Sequence, residues 1–328
     1  MVVQTAWRFL AFLCLLPLSG AAWAAPAPKT TVLMIQWRGE TPAEKGFKDE
    51  LKKTVAGIAF VTFNADQDKD RLLDYLHKEF TGQARTFDYV YSFGTTASDM
   101  VRRVLSTVDA KGTVHIMNII ADPVAAKLAD SQAAAGENRI VGCHLVPLET
   151  QLRNAMKIIR FRKVGLIFNP REGNSNIQLE QVTNLSAKMG FTVIPIRIKP
   201  EQEELEAALR QVEEKQVDVD CVYLLSESFL VSHAKEVVRR LNAAKIPTIA
   251  AVEQYMQEGA LTGTIASYDK LGRLVARTVA KDLKNRRIRN NWPVIIDPSP
   301  EFLLNTATAS SLGIALEESR VPGLKRIK

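Results

Sequence analysis

The sequence is poor in cysteine and lacks the short motifs that are typical of nucleotide, hydrolase or metal sites. Three cysteines among 328 residues exclude a disulfide-rich scaffold. No G-x-G-x-x-G or G-x-x-x-x-G-K-S/T segment is present to hold a phosphate, and no G-x-S-x-G segment places a nucleophile. The four histidines share no metal-like spacing, and no C-x-x-C occurs. We therefore predict a protein that is not an enzyme and that has neither a cofactor nor a metal.

A strong charge of one sign is also absent. Apolar residues make up 46% and charged residues 24% of the chain, as in ordinary globular proteins. The net charge of +7 is a mild excess. The basic run Lys281–Arg289 is interpreted as a solvated helix end, where cations suit the helix dipole. Composition gives no reason to expect a nucleic-acid partner, and the length corresponds to about two domains.

The N-terminus has the three parts of a secretory signal peptide. Arg8 is the only charged residue before Lys29. The apolar run Phe9–Leu18 follows it, and Ala22-Trp23-Ala24 fits an A-x-A cleavage site. A membrane anchor is the alternative, but the run is shorter than the ~20 residues that span a bilayer. We predict that residues 1–24 are removed and that the mature protein is periplasmic.

The cysteines are interpreted as unreactive. Cys14 lies inside the apolar run of the signal, directly after bulky residues, which disfavours lipidation. Cys143 and Cys221 lie in apolar, strand-like segments, where buried free thiols are common. A disulfide between them is the alternative that an exported protein permits. We expect two structural thiols.

Short runs of β-branched and aromatic residues alternate with amphipathic segments. In Glu201–Lys215, for example, Leu205, Leu209 and Val212 share one helical face. This alternation is typical of an α/β fold in which helices cover parallel sheets. The predicted strands are Thr31–Trp37, Ile58–Phe63, Asp88–Phe93, Thr113–Ile119, Arg139–Leu145, Val164–Phe168, Thr192–Ile198, Asp220–Leu225, Pro247–Val252, Leu261–Ala266 and Pro293–Ile296.

The order of these elements is doubled, which predicts two doubly wound parallel-sheet lobes joined by a multi-strand hinge. The expected crossings between the lobes lie at Pro147, near Thr262–Ser267 and within Trp292–Pro300. The resulting lobes comprise residues 25–146 with 267–292, and residues 147–266 with 293–328.

Three predicted helix starts carry capping signals. Thr41-Pro42-Ala43-Glu44 is a capping box with proline at the first helical position. Asp122-Pro123 and Asn169-Pro170 resemble a cap followed by proline. We expect a helix after each. For Asp122 and Asn169, capping alone is the alternative to a role in a binding site.

Polar, small and aromatic residues follow most of the predicted strands, at the sheet edge where open α/β folds bind ligands. Gly94-Thr95-Thr96 at a helix start offers free N–H groups and hydroxyls, which suit a carboxylate. Asp122, Glu227 and Glu253 offer negative charge for an amino group. If the two halves face each other across a cleft, these groups predict an amino-acid-like ligand. The candidates for an aromatic wall are Trp37, Phe93 and Tyr268.

Several short motifs occur in order along nearly the whole mature chain. They are Gly46-Phe47-Lys48, Tyr91–Ala97, Ala121–Val124, Ile140–Gly142, Val146–Leu152, Lys163–Pro170 with Asn174-Ser175, Ala244–Pro247 and Ser311–Ile314. In this order and spacing they resemble the ABC-transporter substrate-binding proteins of the tryptophan/tyrosine-binding (TrpX-like) type.

The resemblance implies a periplasmic-binding-protein type I fold, with a ligand held between two lobes that close about a hinge. It implies a monomer that binds an amino-acid-like ligand, aromatic or branched, and delivers it to an ABC permease in the inner membrane. No cofactor and no catalysis are implied. The alternative is a sensory module that feeds a membrane kinase, cyclase or chemoreceptor. The expected ligand-binding residues are Trp37, from the strand-end pattern, and, from the family, Thr95, Thr96, Asp122, Asn169, Ser175, Ser226, Glu227 and Glu253.

Three features depart from the family pattern, namely Trp37-Arg38, Arg171 and His144. An arginine in the cleft would favour a ligand with an extra acidic group. Whether Arg38 or Arg171 lies there is open from the sequence.

Overall fold

Two separate sheets of mainly parallel strands organise the protein. The computed structural model describes residues 30–81, 87–108, 112–285, 291–315 and 321–328, so the predicted signal peptide lies outside the described residues. No helix within these ranges is long and apolar enough to cross a membrane. The strands are β1 (Thr30–Gln36), β2 (Ile58–Asn64), β3 (Tyr89–Phe93), β4 (Val114–Ile120), β5 (Arg139–Cys143), β6 (Lys163–Phe168), β7 (Thr192–Arg197), β8 (Cys221–Leu224), β9 (Thr248–Ala250), β10 (Thr262–Ile265), β11 (Ile295–Ile296), β12 (Glu301–Asn305) and β13 (Leu324–Ile327). The helices are α1 (Pro42–Thr54), α2 (Lys69–Thr81), α3 (Gly94–Thr107), α4 (Leu148–Ile158), α5 (Gly173–Met189), α6 (Gln202–Glu213), α7 (Ser228–Ser232), α8 (Ala234–Ala243), α9 (Glu253–Gln257), α10 (Tyr268–Asn285) and α11 (Thr306–Ser311).

The strand order of both sheets is that of doubly wound lobes. The first sheet runs β11-β5-β4-β3-β1-β2, and all its neighbours are parallel. The second runs β13-β12-β10-β9-β8-β6-β7 and is parallel except between β10 and β12. Every predicted strand is present, as β1 to β11, and the predicted α/β class is confirmed. We call the elements around each sheet the first and the second lobe.

The C-terminal part corrects the prediction. The strand β11 pairs with β5 of the first sheet, with Ile295 opposite Gly142 and Ile296 opposite Cys143. A boundary before residue 293 is therefore too early, because the chain completes the first sheet before it crosses. The sequence pattern also predicts neither β12 nor β13, which extend the second sheet. The rest of the lobe division remains a proposal.

A helix begins directly after one of the three predicted capping signals. The capping box of α1 is confirmed, since the side chains of Thr41 and Glu44 each accept a hydrogen bond from the other's backbone N–H. Asp122 and Asn169 instead accept hydrogen bonds at 3.0 Å from backbone N–H groups three and two residues on. The helices predicted directly after them are wrong. Turns follow Asp122, and α5 begins only at Gly173.

The helix α10 returns to the first lobe and packs closely against α1. Two glycines allow this approach. A Cβ atom on Gly272 would lie 2.1 Å from the carbonyl oxygen of Ala43, and one on Gly46 would lie 2.6 Å from that of Asp269. The contact joins α10 to an element of the first sheet's lobe.

Both described cysteines are buried free thiols, as predicted. Cys143 lies on β5 and Cys221 on β8. Burial raises the pKa of Cys143 to about 12 and holds the pKa of Cys221 well above its usual range. Neither is a reactive thiolate near neutral pH.

Candidate functional site

A narrow cleft lies between the lobes, at the carboxyl ends of the parallel strands. Its unfilled space is about 360 Å³, opening included. The first lobe contributes Trp37 and Arg38 after β1, Phe93 to Thr96 at the β3–α3 junction, and Ile119 on β4. The second lobe contributes Glu172, Asn174, Ser226, Glu227, Ser228 and Val231, while His144 and Tyr268 lie near the crossings.

The start of α3 faces the cleft with free backbone donors. Its N-cap residue is Phe93, whose side chain makes no capping hydrogen bond. Gly94 has a φ of 79°, a left-handed conformation that glycine adopts without strain, and this turns the chain from β3 into the helix. Thr95 and Thr96 add two hydroxyls beside the unpaired N–H groups. This arrangement suits an anion such as a carboxylate.

Aromatic rings and one cation complete the first-lobe face. Phe93 and Tyr268 meet edge to face, with 6.1 Å between their ring centroids. The guanidinium carbon of Arg38 lies 5.2 Å from the centroid of Phe93. Trp37 is only 3% exposed. The predicted aromatic wall is therefore assembled, and Arg38 lies inside the cleft.

One strained backbone position lies on the same face. Ile119 has a φ of 59°, a left-handed conformation that is unfavourable for a β-branched residue. The register between β4 and β5 shifts between Met117 and Ile120, and the Ile119 N–H donates to Asn118 Oδ1 at 3.0 Å. Strain of this kind is typical of functional sites.

Two buried carboxylates form the second-lobe face. Glu227 accepts hydrogen bonds from two backbone N–H groups of α7 (3.1 and 2.7 Å) and from Asn169 Nδ2 (3.1 Å). Glu172 accepts one from the backbone N–H of Ser228 at 3.1 Å, and the Ser228 hydroxyl and the Trp37 ring N–H also face it. Burial raises the pKa of both, and the charge of Glu172 raises that of Glu227 further, to about 7. The pair therefore carries less than its full negative charge near neutral pH.

His144 and Ser226 meet across the cleft near the hinge. His144 Nε2 lies 2.7 Å from Ser226 Oγ, and its ring is edge-on to Tyr268 at 5.5 Å. Burial lowers the pKa of His144 to about 4, so the imidazole is neutral at physiological pH. Within the described residues, His144 Nδ1 has no hydrogen-bond partner. In the described part of the chain no carboxylate hydrogen-bonds to His144, whereas the backbone of Ile119 and Ile120 lies close enough to raise its pKa slightly.

Hydrogen bonds between the lobes hold the mouth of the cleft closed. In this closed arrangement, side chains of one lobe reach groups of the other. The pairs are Gln67 Nε2 with Ser232 Oγ (3.1 Å), Lys69 Nζ with the carbonyl oxygen of Arg171 (2.9 Å), and Gln181 Nε2 with the Asp122 carboxylate.

The predicted ligand-binding residues fall into two groups. Those that line the cleft are Trp37, Thr95, Thr96, Ser226 and Glu227. The others lie outside its lining. Asn169 donates to Glu227, and its own backbone N–H donates to Ser175 Oγ at 3.1 Å. Asp122 takes part in the contact between lobes, and Glu253 begins α9, where burial raises its pKa to about 7.

Glu172 is the main residue that the sequence prediction missed. It follows β6 in the same loop as Asn169, so its position beyond a strand end is the available signal. The sequence pattern predicts a helix that begins at Pro170. In such a helix Glu172 lies in the first turn, so it is not selected as a ligand-binding residue. In the structure Glu172 is instead the N-cap residue of α5 and faces the cleft.

Comparison with known proteins supports the fold and identifies the family. Residues 33–322 match the family model described as ABC transporter substrate binding protein. A tyrosine-binding protein of Clostridioides difficile is 24% identical over 242 residues, which are 74% of this chain and 67% of that protein.

Two solved structures show the same fold. The ABC domain from Streptococcus pneumonia in complex with L-Trp has a TM-score of 0.78 and 19% identity, over 91% of this chain and 99% of that one. The ligand-free, open structure of an adhesive substrate binding protein from Clostridium difficile has a TM-score of 0.64 and 20% identity, over 91% and 100%. The periplasmic-binding-protein type I fold is thereby confirmed. Because the family model covers most of its length, the chain belongs to the ABC transporter substrate-binding proteins.

Proposed function

We propose that this protein is a monomeric, periplasmic binding protein that captures a small amino-acid-like ligand and delivers it to an ABC permease, without catalysis. One observation carries the proposal. The two faces of the cleft bear complementary groups, a cation and a free helix N-terminus on one side and carboxylates on the other. A zwitterion matches both faces at once. The relatives named for tyrosine and L-Trp support this ligand class.

The hydrogen-bond partners suggest how such a ligand lies. Its carboxylate fits the start of α3 at Thr95 and Thr96, with Arg38 nearby. Its ammonium group fits Glu172 better than Glu227, because Glu227 accepts three hydrogen bonds within its own lobe, whereas Glu172 has a single hydrogen-bonding residue there and otherwise faces the first lobe. An apolar side chain, aromatic or branched, would contact the rings that line the cleft.

Capture depends on closure of the lobes. A ligand shifts the open–closed equilibrium only through contacts that exist in the closed form alone. Here those contacts come from both faces, so a ligand held by one lobe gains further hydrogen bonds as the other arrives. The closed form is then the one that docks on the permease.

The Ser–His pair supports binding rather than catalysis. Ser226 resembles a nucleophile beside a base, but His144 has a low pKa and is not oriented by a carboxylate in the described part of the chain. Such a base does not activate a hydroxyl effectively. The hydrogen bond instead joins a residue near the hinge to the second-lobe face.

The test is a thermal-shift panel on the mature chain, purified from Ala25 and refolded to remove bound ligand. The panel contains the common L-amino acids. A ligand at ~100 times its Kd stabilises the native state by about 2.7 kcal/mol, which raises Tm by roughly 5–10 °C. We expect such a shift with at least one amino acid and a smaller one with its decarboxylated and deaminated analogues.

The variant Arg38→Gln sharpens the test. It is expected to weaken binding of the amino acid about 10–100-fold, because a charged hydrogen-bond partner is lost. Arg277→Gln, which removes a cation on α10 that is paired with Glu50, is the control and should bind normally. A panel in which no amino acid raises Tm would contradict the proposed function.

A further inference from the structure

A second pocket opens beside the cleft and shares a wall with it. We call it the mouth pocket. Its unfilled space is about 1240 Å³, opening included, and Thr95 and Thr96 line both it and the cleft. The two pockets are therefore neighbours at the start of α3. The charged residues that line the mouth pocket are Lys69, Arg102, Arg103, Lys127, Arg171 and a single carboxylate, Asp99.

The cations of the mouth pocket are not balanced by its carboxylate. Asp99 is bound by both Arg102 and Arg103, at 2.7 and 2.8 Å. Within the described residues, no carboxylate lies within ion-pair distance of Lys127 or Arg171. The pocket is therefore a region of positive potential.

The cations come from both lobes. Lys127 follows β4 in the first lobe, whereas Arg171 follows β6 in the second. Closure brings these like charges toward the same pocket, and the Lys69 Nζ that donates to the Arg171 carbonyl oxygen adds a third. Like charges oppose closure when the pocket is empty. An anion between them would remove this opposition and would favour the closed form.

The positive region continues into the cleft. Arg38 lines the cleft on the same side as Thr95 and Thr96. The path from Arg38 to the mouth pocket thus offers cations at both ends and the free N–H groups of α3 between them. A ligand with one carboxylate leaves one end of this path without an anion.

We propose that the mouth pocket is a second anion subsite, so that the ligand carries an anionic group in addition to its α-carboxylate. This inference rests on the proposed function. The required chemistry is an amino acid whose side chain ends in a carboxylate or a phosphate, in place of the purely apolar side chain considered above. The second anion lies between Lys127 and Arg171 when the lobes are closed.

The test compares matched probes by calorimetry at low ionic strength. L-Glutamate is paired with L-glutamine, and O-phospho-L-serine with L-serine, so each pair differs in the anionic group alone. We expect the acidic member of at least one pair to bind about tenfold more tightly or better. The pair that shows the preference distinguishes a carboxylate from a phosphate. Raising the salt concentration from about 50 to about 500 mM should reduce the preference, because the cations are exposed.

Two double variants locate the effect. K127Q/R171Q removes a cation of the mouth pocket from each lobe and should abolish the preference without weakening the binding of L-glutamine, because the loss of two like charges also removes their opposition to closure. K235Q/R239Q removes the same charge from the exposed face of α8 and should keep the preference. All four positions are exposed, so the native fold is expected to persist, and thermal unfolding of each variant checks this.

The outcomes separate this inference from the proposed function. Equal binding of acidic and neutral probes, or a preference that survives in K127Q/R171Q, overturns the inference and leaves the amino-acid function intact. Failure of every probe and every common amino acid to bind overturns the proposed function, and this inference with it.

Discussion

The two faces of the cleft are built from the same kind of strand-end loop but carry opposite chemistry. The first lobe presents Arg38 and the uncapped start of α3, among aromatic rings. The second presents Glu172 and Glu227, among polar side chains. Each face satisfies only one end of a zwitterion. The difference shows that ligand affinity and lobe closure belong to one equilibrium, because neither face alone binds both ends.

The lobes also differ in how they are completed. In the first lobe, α10 and β11 return after the second crossing, and α10 approaches α1 closely enough to require glycine at Gly46 and Gly272. In the second lobe, β12 and β13 extend the edge of the sheet. We therefore expect the contact between α1 and α10 in the first lobe to be more sensitive to a small increase in side-chain volume than the start of α5 in the second lobe.

The strongest way to break this comparison is a methyl group at Gly272. Its Cβ would lie 2.1 Å from the backbone oxygen of Ala43, so α1 and α10 must separate. We expect Gly272→Ala to lower the free energy of unfolding by about 3 kcal/mol, measured by urea denaturation. Gly173→Ala, at the start of α5 in the second lobe, has no atom within 4 Å of the new Cβ. It should change stability by less than about 1 kcal/mol, in the stabilising direction. If both variants lost the same free energy of unfolding, the close contact between α1 and α10 would not be the cause of the loss.

Strand ends could be predicted from the sequence because the signal is local. A run of apolar residues that gives way to a polar loop marks each end, and this places Trp37, Thr95 and Ser226 at strand ends. That they share one cleft follows only if the two halves face each other. The C-terminal strands gave a weaker signal. The strand β13, for example, contains Lys325 and Arg326, both exposed, and it is stabilised by pairing with β12 rather than by its own pattern.

The choice of acid in the cleft could not be predicted, because it depends on contacts between distant loops. Glu227 follows its strand as expected, but backbone N–H groups of α7 and the side chain of Asn169 use its oxygens. Glu172 becomes available only because α5 begins at Gly173 and not at Pro170. The hydrogen bonds to Glu227 and the exposure of Glu172 to the cleft both depend on the residue at which a helix begins. A cap signal such as Asn169-Pro170 does not determine that residue.

Buried carboxylates with pKa values near neutrality occur in both lobes, and the one in the first lobe gives a second test. In the first lobe, burial raises the pKa of Glu44 from an ordinary 4.5 to about 7. The unfolded chain loses this proton first, so the stability due to Glu44 is greatest below pH ~4.5 and is lost as the pH rises to ~7. Glu44→Gln keeps the capping box and cannot ionise. Between pH 5 and pH 8 the free energy of unfolding of this variant should fall by about 2 kcal/mol less than that of the parent. Urea denaturation at each pH measures the difference.

The control for this pH dependence lies on the same helix. The hydrogen bond from Arg277 holds the pKa of Glu50 below its usual value, so this carboxylate is ionised throughout the window. Glu50→Gln should leave the difference in stability between pH 5 and 8 as it is in the parent. A Glu44→Gln variant with the parental pH dependence would mean that Glu44 ionises normally in the folded protein.

The last and smallest effect sharpens the comparison within the second-lobe face. Glu172 has one internal hydrogen bond from a backbone N–H, whereas Glu227 accepts three. Glu172→Gln should weaken binding of the amino acid that gives the largest thermal shift by about tenfold, since its ammonium group loses a charged partner. The deaminated analogue should bind both proteins equally. Glu227→Gln should instead lower stability by about 1 kcal/mol through loss of the α7 cap, with little change in affinity. If calorimetry ranks the two variants in the opposite order, Glu227 holds the ammonium group, and the position beyond β8 predicts the ligand contact better than the hydrogen bonds do.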